Sequence, residues 1–449
     1  MTLGLLITAV VLILCIVSGK LSQRFGVPVL LLFILLGMAF GSDGPVGIAF
    51  ENYNLAEQIC SVALIFIIFY GGFGTSWKTA RPVAVKASLL STLGVVVTAG
   101  MTGFFCYYVL NMSLLEGMLV GAILGSTDAA SVFAILRSKR LNLKGGLAPL
   151  LEMESGSNDP FAYLLTVTVL TLMSASGSGG LWLVFVKQLG FGLGFGFLIA
   201  GLFALLFRRV TLEIKGLHTI LVVAIALLCY AVPTLLGGNG YLSVYIAGIV
   251  LGNQKLAHKT ELVHFFDGVA WLMQMMLFFV LGLLSFPSQM PSILLPAILI
   301  TLFLALVARP AATFALLGGF RMPIKQLLFV SFAGLRGAAS IVFAIYAINS
   351  GAGTHQDIFH IVFCVCLLSR AVQGGLLPFA ARKLDLVDNK ESVLKTFTDY
   401  EDDAELHLAE LPIGEGHPFA GLTLGELPLA EENLIVLVKR EDSTIIPNG

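Results

Sequence analysis

The sequence predicts an all-α polytopic membrane protein with thirteen transmembrane helices and a small α/β appendage at its C-terminus. Three observations support this fold class: the composition, a series of long apolar segments, and the placement of basic residues between those segments. The chain is 57% hydrophobic and only 12% charged, whereas a soluble domain has about 25% charged residues. Its 48 glycines and 33 phenylalanines suit a helical bundle in which small residues allow close helix packing.

The apolar segments are long enough to cross a membrane. A transmembrane helix needs about 20 mostly apolar residues, and fewer if it is broken. Met1–Ser18 is interpreted as the first of these helices rather than as a removed signal peptide, since it lacks a basic start and a small-residue cleavage site. The predicted segments are 2–18, 27–41, 58–74, 83–110, 115–136, 153–174, 181–207, 217–235, 240–253, 265–286, 292–319, 326–349 and 356–381.

The basic residues test this division independently. If the N-terminus lies outside, every odd-numbered link faces the cytoplasm, where Lys and Arg are favoured. The even-numbered links contain no Lys or Arg, and a miscounted segment would disrupt that alternation. The predicted orientation is therefore a periplasmic N-terminus and a cytoplasmic C-terminus. The basic residues of the odd-numbered links and of the chain after the last segment are Lys20, Arg24, Lys78, Arg81, Lys86, Arg137, Lys139, Arg140, Lys144, Arg208, Arg209, Lys215, Lys255, Lys259, Arg321, Lys325, Arg382 and Lys383.

The composition changes abruptly after the last apolar segment. We assign residues 1–385 to the transmembrane domain, 386–411 to an acidic, polar linker, and 412–449 to a small cytoplasmic module. Within that module, Leu434–Val438 and Thr444–Ile446 are predicted to be two short strands joined by a turn.

Few ionisable residues lie within the apolar segments. Charged groups at membrane depth are costly and are by default candidates for an ion or proton site. For Lys187 and Arg370, we favour snorkelling or structural pairing, because each is nearer a segment end or a helix face. The ionisable residues that remain at depth, once the loops are set aside, are Asp128, Glu154, Asp159, Lys187, Arg309, Arg336 and Arg370.

Two apolar segments are interrupted near their middle. Residues 125–131 of the fifth segment and 334–340 of the twelfth combine glycines, hydroxyl residues and one charge. Two such interruptions in matching halves of a chain indicate inverted repeats with a binding site at the membrane midplane. Asp128 would neutralise an exposed helix N-terminus and Arg336 an exposed C-terminus. The alternative is that these small residues only permit close helix packing.

A charge count narrows the chemistry of this region. Asp128, Glu154 and Asp159 supply three negative charges, against two positive charges from Arg309 and Arg336. Buried charge has to be paired or neutralised. The surplus of one negative charge predicts a site that holds either one proton or one monovalent cation.

The spacing of the two carboxylates in the sixth segment separates their roles. Glu154 and Asp159 are five residues apart and so diverge by roughly 140° around a regular helix. Glu154 is a candidate for a fixed pair with Arg309, with Asn158 at i, i+4 hydrogen-bonding within that pair. Asp159 is then the candidate carrier. Additional neutral oxygen ligands would come from Thr127, Ser155 and backbone carbonyls.

At this point the sequence resembles a known family. Thr127-Asp128, the run from Glu154 to Asp159, Ala308-Arg-Pro310 and Gly334-Leu-Arg-Gly337 are similar to motifs of the monovalent cation/proton antiporter-1 family. The similarity is greatest to its bacterial potassium/proton branch, which is associated with cell-volume regulation and pH homeostasis. It covers about residues 1–385. The C-terminal segment looks like the start of a regulatory module of potassium-transport proteins.

The resemblance implies a specific mode of action. It implies a homodimer in the lipid of the bacterial inner membrane, each protomer having a dimerisation subdomain and a mobile ion-transporting core that works as an elevator. It also implies electroneutral one-for-one exchange of K⁺ or Na⁺ for H⁺, with no cofactor. In this picture Asn158 and Asp159 form the ion-binding pair, to which we add Ser155, Thr127 and Asp128, while Glu154 is paired with Arg309.

The sequence departs from the family in two places. Many relatives have an acidic residue in the third segment where this chain has Tyr70-Gly-Gly72. The C-terminal module stops where it normally continues, so it is expected to be partial, and a nucleotide or an ion is the expected class of ligand for it.

Other function classes fit the residues less well. A cation channel needs a pore ring or a repeated filter sequence, and an intramembrane enzyme using Asp128 and Asp159 needs a positioned water or oxyanion hole. Neither pattern is present in the sequence. The run Gly190–Gly196 resembles a nucleotide loop, but no strand precedes it, so close helix packing is the preferred interpretation. The net charge of −1 gives no support for nucleic-acid binding.

Overall fold

The computed structural model describes residues 2–25, 28–174, 180–209, 215–254, 256, 259–351 and 353–388, together with short parts of 413–445. Helices make up nearly all of the first 383 residues. In chain order they are α1 Thr2–Phe25, α2 Val29–Phe40, α3 Tyr53–Gly74, α4 Trp77–Ala80, α5 Ala84–Leu89, α6 Val95–Leu110, α7 Leu114–Ile123, α8 Ala129–Ser138, α9 Leu147–Met173, α10 Leu181–Arg209, α11 Lys215–Leu235, α12 Gly240–Gly252, α13 Lys259–Leu283, α14 Met290–Phe303, α15 Arg309–Leu317, α16 Ile324–Phe332, α17 Ala338–Asn349, α18 Ile358–Leu368 and α19 Gly375–Lys383.

Three π-helical segments continue helices rather than ending them. Leu90–Gly94 joins α5 to α6, Leu304–Ala308 joins α14 to α15, and Ser369–Gly374 joins α18 to α19. Two single 3₁₀ turns, Pro287–Gln289 and Gly318–Phe320, precede α14 and follow α15. Single π turns inside α-helices are rare and frequently lie at functional sites. Ser369–Gly374 contributes Arg370 and Gln373 to the site described below, and Leu304–Ala308 directly precedes Arg309 of that site.

Several helices begin at residues that the sequence marks as caps. Asn52, Asn239 and Asp357 each accept a hydrogen bond from a backbone N–H of the first turn of α3, α12 and α18. Ser113 and Glu116 form a reciprocal capping box at the start of α7. These side chains satisfy backbone donors that have no partner within the helix.

Among the residues that the structure describes, seven helical stretches have both the length and the apolar composition to cross a membrane: Tyr53–Gly74, Ala84–Leu110, Leu181–Phe207, Gly216–Leu235, Lys259–Leu283, Pro287–Phe320 and Ile358–Lys383. Six shorter apolar helices occur in the same described part of the chain: Gly4–Lys20, Val29–Phe40, Leu114–Ile123, Ala129–Ser138, Gly240–Gly252 and Ala338–Asn349. Every predicted segment coincides with one of the described helices or with a pair of them. The number of thirteen membrane crossings stays a prediction.

The fifth and twelfth segments are each broken into two helices, as the interrupted sequences predict. α7 ends at Ile123 and α8 begins at Ala129, while α16 ends at Phe332 and α17 begins at Ala338. The sixth segment differs from its prediction, because α9 begins at Leu147 rather than near residue 153. Glu154 therefore lies two turns inside the helix, whereas the predicted bounds place it at the start of the segment.

Helix packing divides the bundle into two groups. α1, α2, α3, α10, α11, α12 and α13 pack mainly on one another, whereas α5–α9 and α14–α19 form the second group. Glycines permit the closest approach within the first group: a Cβ at Gly248 of α12 would lie 2.6 Å from the Phe69 carbonyl oxygen of α3. Gly192 and Gly196 of α10 likewise face α12, which agrees with close packing for the glycine run.

Two small antiparallel pairings complete the fold. β1 (Asn142–Leu143), in the link before α9, pairs with β2 (Val387–Asp388), just after α19. Residues 401–449 form a separate compact unit. Within it, β3 (Val438–Arg440) pairs with β4 (Ser443–Ile445). The predicted strand pair is thus present, although its first strand begins at Val438, and residues 434–437 and 446 lie outside the described part of the chain. The linker prediction also falls largely outside it.

Candidate functional site

The two helix breaks meet at the centre of the second helix group. The backbone N–H of Asp128, in the break between α7 and α8, donates to the carbonyl of Leu335, in the break between α16 and α17, over 2.8 Å. Gly337 allows this approach, since a Cβ there would lie 2.9 Å from the Asp128 Cβ. The crossing places free helix ends and four charged side chains next to one another.

The free C-terminal ends of the half-helices are satisfied by donors. Arg336 is 3% exposed, and its Nη1 donates to the carbonyl of Leu124 and, over 3.1 Å, to that of Ser126. It thereby places a positive charge at the negative end of α7. At the end of α16, the Gln373 side chain donates to the Phe332 carbonyl over 2.5 Å.

Asp128 caps the N-terminus of α8, where the helix dipole favours a negative charge. Its carboxylate accepts from the backbone N–H of Ser131 at 3.0 Å and from the Ser131 hydroxyl at 2.6 Å. It also accepts from Nη2 of Arg370 at 2.5 Å. Arg370 is fully buried, with its guanidinium 4.3 Å from the centre of the Phe278 ring. Of the two interpretations offered for Arg370, the structure shows pairing.

Glu154 and Arg309 are brought together in the interior. Nη2 of Arg309 lies 2.7 Å from both carboxylate oxygens of Glu154, and both residues are buried. Arg309 immediately follows the π-helical segment Leu304–Ala308. Its Nε faces Gly334 of the second break, where a Cβ would lie only 2.8 Å away. The pair therefore connects α9 with α15 beside the crossing.

Asn158 does not act as predicted. Its Nδ2 donates to the Thr127 hydroxyl at 2.5 Å, and its Oδ1 accepts from the Thr127 backbone N–H at 3.3 Å. Asn158 thus connects α9 to the first break. The prediction that it hydrogen-bonds within the Glu154–Arg309 pair is wrong. The reason is that Thr127 has non-helical backbone, whose N–H needs an acceptor from outside its own helix.

Ser155 reinforces the same connection. Its hydroxyl donates to the Thr127 carbonyl at 2.8 Å and accepts from the Ala129 backbone N–H at 2.9 Å. Three of the residues predicted to bind the ion, Thr127, Asn158 and Ser155, therefore form one hydrogen-bonded unit between α9 and the first break.

Asp159 lies beside this unit in a different environment from the other two carboxylates. Its Oδ1 accepts from the Ser126 hydroxyl at 2.5 Å, and it is half-buried. Within the described part of the chain, ion pairs with arginine are formed by Asp128 and Glu154, whereas none is formed by Asp159. Pro160 follows it and has no N–H, so the Gly156 carbonyl cannot accept the usual helical hydrogen bond.

Three residues of this site were missed or underrated by the sequence analysis. Ser126 belongs to the interrupted motif, but only the fold shows which hydroxyl faces Asp159. Arg370 adds a third positive charge to the site. The charged side chains of the site are then three carboxylates and three arginines: Asp128, Glu154, Asp159, Arg309, Arg336 and Arg370. The predicted surplus of one negative charge among these side chains is therefore wrong. Tyr245 of α12 belongs to no motif in the sequence, yet its hydroxyl group lies 3.2 Å from the hydroxyl group of Ser157.

The geometry defines a class of protein. Two broken helices that cross at their breaks, beside a half-buried carboxylate with nearby hydroxyl and carbonyl oxygens, are typical of secondary active transporters. Glycine-flanked helix ends at this depth are tolerated only where they line a cavity or are buried in protein.

Comparison with known proteins gives the family. A model described as "Sodium/hydrogen exchanger, transmembrane" matches residues 8–383. The chain is 38% identical over 392 residues to the K(+)/H(+) antiporter NhaP of Alkalimonas amylolytica, covering 87% of this chain and 68% of the relative. It is 35% identical over 456 residues to the K(+)/H(+) antiporter NhaP2 of Shewanella baltica, covering 100% of this chain and 78% of the relative.

A solved structure supports the fold. The sodium proton antiporter MjNhaP1 from Methanocaldococcus jannaschii superimposes with a TM-score of 0.75 at 24% identity, covering 86% of this chain and 99% of that one. The chain belongs to the sodium/hydrogen exchanger family. It is accordingly a multi-pass membrane transporter and not an enzyme.

Proposed function

We propose that this protein exchanges a monovalent cation for H⁺ across the bacterial inner membrane, with K⁺ as the preferred cation and Na⁺ as the alternative. The observation that carries this proposal is the contrast among the three carboxylates of the site. Glu154 and Asp128 are each paired with a buried arginine, whereas Asp159 is half-buried and accepts from a hydroxyl group. Asp159 is the carboxylate available to exchange its partner.

A single exchanging carboxylate, Asp159, determines the ratio of cations to protons in the proposed exchange. Asp159 holds either one proton or one monovalent cation, and the site has the same net charge in both states. Exchange is therefore one for one and electroneutral, because each crossing of the site moves a single positive charge in either form.

Neutral oxygens near Asp159 complete the proposed cation site. Ser126 contacts the carboxylate directly, Asn158 and Ser155 fix the backbone of Thr127, and the Gly156 carbonyl lacks its usual helical donor. Oxygen ligands of this kind suit a hard cation. Asp128 contributes by holding α8 in place through its cap and its pair with Arg370.

The choice of K⁺ rests on the relatives, since the two antiporters named above are described as K(+)/H(+) antiporters. We also propose that the protein is a homodimer and that the second helix group moves against the first as an elevator. A role in cell-volume regulation and pH homeostasis would follow from such exchange. For residues 412–449 we propose a regulatory module that takes a nucleotide or an ion.

The test is exchange in reconstituted vesicles that contain a pH-sensitive dye, with K⁺, Na⁺ and Li⁺ compared over a range of pH. Asp159→Asn is expected to abolish cation-dependent proton movement while the protein still assembles, as judged by gel filtration. Asp43→Asn is the matched control, because Asp43 lies in an exposed link. Undiminished exchange by Asp159→Asn would refute the assignment, and voltage-dependent current without proton coupling would indicate a channel.

A further inference from the structure

A small cavity lies between two of the π-helical segments and the second helix break. It has a volume of about 10 Å³, and its lining includes Ala305 of one π-helical segment, Ser369 and Gln373 of another, and Gly334 of the break. A π turn has i→i+5 hydrogen bonds and is wider than an α turn, which leaves space where such helices pack. A cavity needs about 10–15 Å³ to hold a water molecule. This cavity therefore has room for one.

A buried donor on the wall of this cavity lacks a partner. Among the residues that the structure describes, none accepts a hydrogen bond from Nε of Arg309, whose side chain is 3% exposed. Nη2 of the same side chain binds Glu154, whereas Nε faces Gly334, which has no side chain to offer. Buried polar groups are nearly always bonded to protein or to ordered water. Nε of Arg309 therefore requires an acceptor that this part of the chain does not supply.

Two hydroxyl oxygens on the wall of the cavity require the opposite kind of partner. The Ser369 hydroxyl donates to Oε1 of Gln373 at 3.0 Å and accepts from the Arg336 backbone N–H at 3.1 Å, which leaves one lone pair. The Thr301 hydroxyl donates to the Ala297 carbonyl at 2.7 Å and keeps both lone pairs. Both oxygens can accept a further hydrogen bond, but neither has a proton left to donate.

These requirements identify the ligand. An anion would satisfy Nε of Arg309 but would face the lone pairs of Thr301 and Ser369, and a cation would face the Arg309 N–H group. A water molecule both accepts and donates, and buried waters typically make about three hydrogen bonds. We propose that the cavity is a binding site for one ordered water molecule, which accepts from Nε of Arg309 and donates to the hydroxyl oxygens of Thr301 and Ser369.

The water connects three parts of the structure. It joins the Glu154–Arg309 pair to α14 through Thr301 and to the second break through Ser369, whose hydroxyl binds the backbone of that break. It thereby fixes the plane of the Arg309 guanidinium, which contacts Glu154 through Nη2. This water site is a feature of the fold and is independent of the exchange proposed for Asp159.

Radiolytic labelling of the unaltered protein detects this water directly. A brief X-ray pulse converts water into hydroxyl radicals that oxidise the nearest side chains, so a buried aliphatic residue is oxidised mainly when a water molecule lies beside it. Leu304 and Val365 are buried and line the cavity. Mass spectrometry is expected to find them oxidised several-fold faster than Leu277 and Val222, which are fully buried in the first helix group. Equal rates would overturn the proposal.

Thr301→Val tests the partners of the water almost without changing the shape of the side chain. It removes one acceptor, so the oxidation of Leu304 and Val365 is expected to fall several-fold and the unfolding temperature to decrease. Thr168→Val is the matched control, because Thr168 is also half-buried and donates within its own helix to the Leu164 carbonyl at 2.7 Å. An equal effect of both variants, or no effect of Thr301→Val, would contradict the proposal.

Ala305→Val distinguishes a hydrated cavity from a dry one. Two added methyl groups displace the water and leave Nε of Arg309 without an acceptor, so both the unfolding temperature and the oxidation of Leu304 and Val365 are expected to decrease. Filling a dry cavity would raise the unfolding temperature instead, and that result or unchanged oxidation would overturn the proposal. Because labelling of the unaltered protein needs neither a variant nor exchange activity, it decides the question even if both variants fail to fold.

Discussion

Arg370, in the π-helical segment Ser369–Gly374, lies 2.5 Å from the carboxylate of Asp128, which caps α8. Arg370 also donates through Nε to the Arg336 carbonyl at 3.2 Å. The Arg370 side chain therefore stabilises both helix breaks. It binds the first break through the Asp128 carboxylate and the second through the backbone carbonyl of Arg336. The crossing depends on a residue from a third helix.

This relationship predicts that the shape of Arg370 matters as well as its charge. Arg370→Lys keeps the positive charge but loses the Nε hydrogen bond and the stacking on Phe278. We expect a clear decrease in thermal stability and a partial loss of exchange. Arg370→Gln leaves Asp128, whose side chain is 14% exposed, without its basic partner and is expected to be more destabilising than Arg370→Lys, by up to about 3–5 kcal/mol. Thermal unfolding in detergent measures both, with the exposed Arg382→Lys as control. Equal stability of Arg370→Lys and the parent would contradict this account.

The Glu154–Arg309 pair predicts a non-additive mutant cycle. Glu154→Gln or Arg309→Gln alone leaves one buried charge without its partner and is expected to cost about 3–5 kcal/mol. The double change removes both charges and should cost less than the sum of the single changes. Unfolding temperatures of the four proteins give the coupling. If the two effects simply add, the pair has no structural role.

Ser126 is predicted to contribute to cation affinity. Ser126→Ala removes the hydroxyl group 2.5 Å from Asp159, and hydrogen bonds to charged groups contribute about 1.5–3 kcal/mol. We expect the apparent KM for the cation to rise roughly tenfold with the maximal rate nearly kept, as measured in the vesicle assay. Ser138→Ala serves as control, because that hydroxyl is exposed and donates to the Ile135 carbonyl. An unchanged KM would remove Ser126 from the site.

The link before α3 gives a pH-dependent prediction. Hydrogen bonds from the Ser288 side chain and backbone lower the pKa of Asp43 below its ordinary value of 3.8. Since the folded-state pKa is the lower one, the contribution to stability is present above pH 3.8 and is lost as pH falls through the folded value. Asp43→Asn should therefore lower the unfolding temperature slightly at pH 7, and this difference should shrink as the pH falls below 3.8. A difference that does not shrink with falling pH would show another cause.

Periodicity and charge predicted the helices and the two breaks, and they placed Glu154 and Asp159 on different faces of α9. These features follow from local rules: apolar length, the cost of buried charge, and the angle between residues on a helix. The side-chain partners of the breaks were harder to predict. Asn158 was assigned to Glu154 by helical spacing, whereas it contacts Thr127 from another helix.

The error has a physical origin. Residues 124–128 and 333–337 have non-helical backbone, so neither a period of 3.6 nor a period of 2 gives the direction of their side chains. Their free N–H and carbonyl groups also attract polar partners from distant parts of the chain, as Arg336 and Gln373 show. Long-range choices of this kind depend on the packed bundle and cannot be inferred from one segment.

The pairing of β1 with β2 ties Val387 and Asp388 to the link that leads into α9. The Lys144 backbone N–H strengthens this connection by donating to the Leu386 carbonyl at 2.9 Å. Any displacement of α9 would therefore also displace Val387 and Asp388. Conversely, a force that holds the residues after Asp388 in place would resist movement of the helix that carries Asp159.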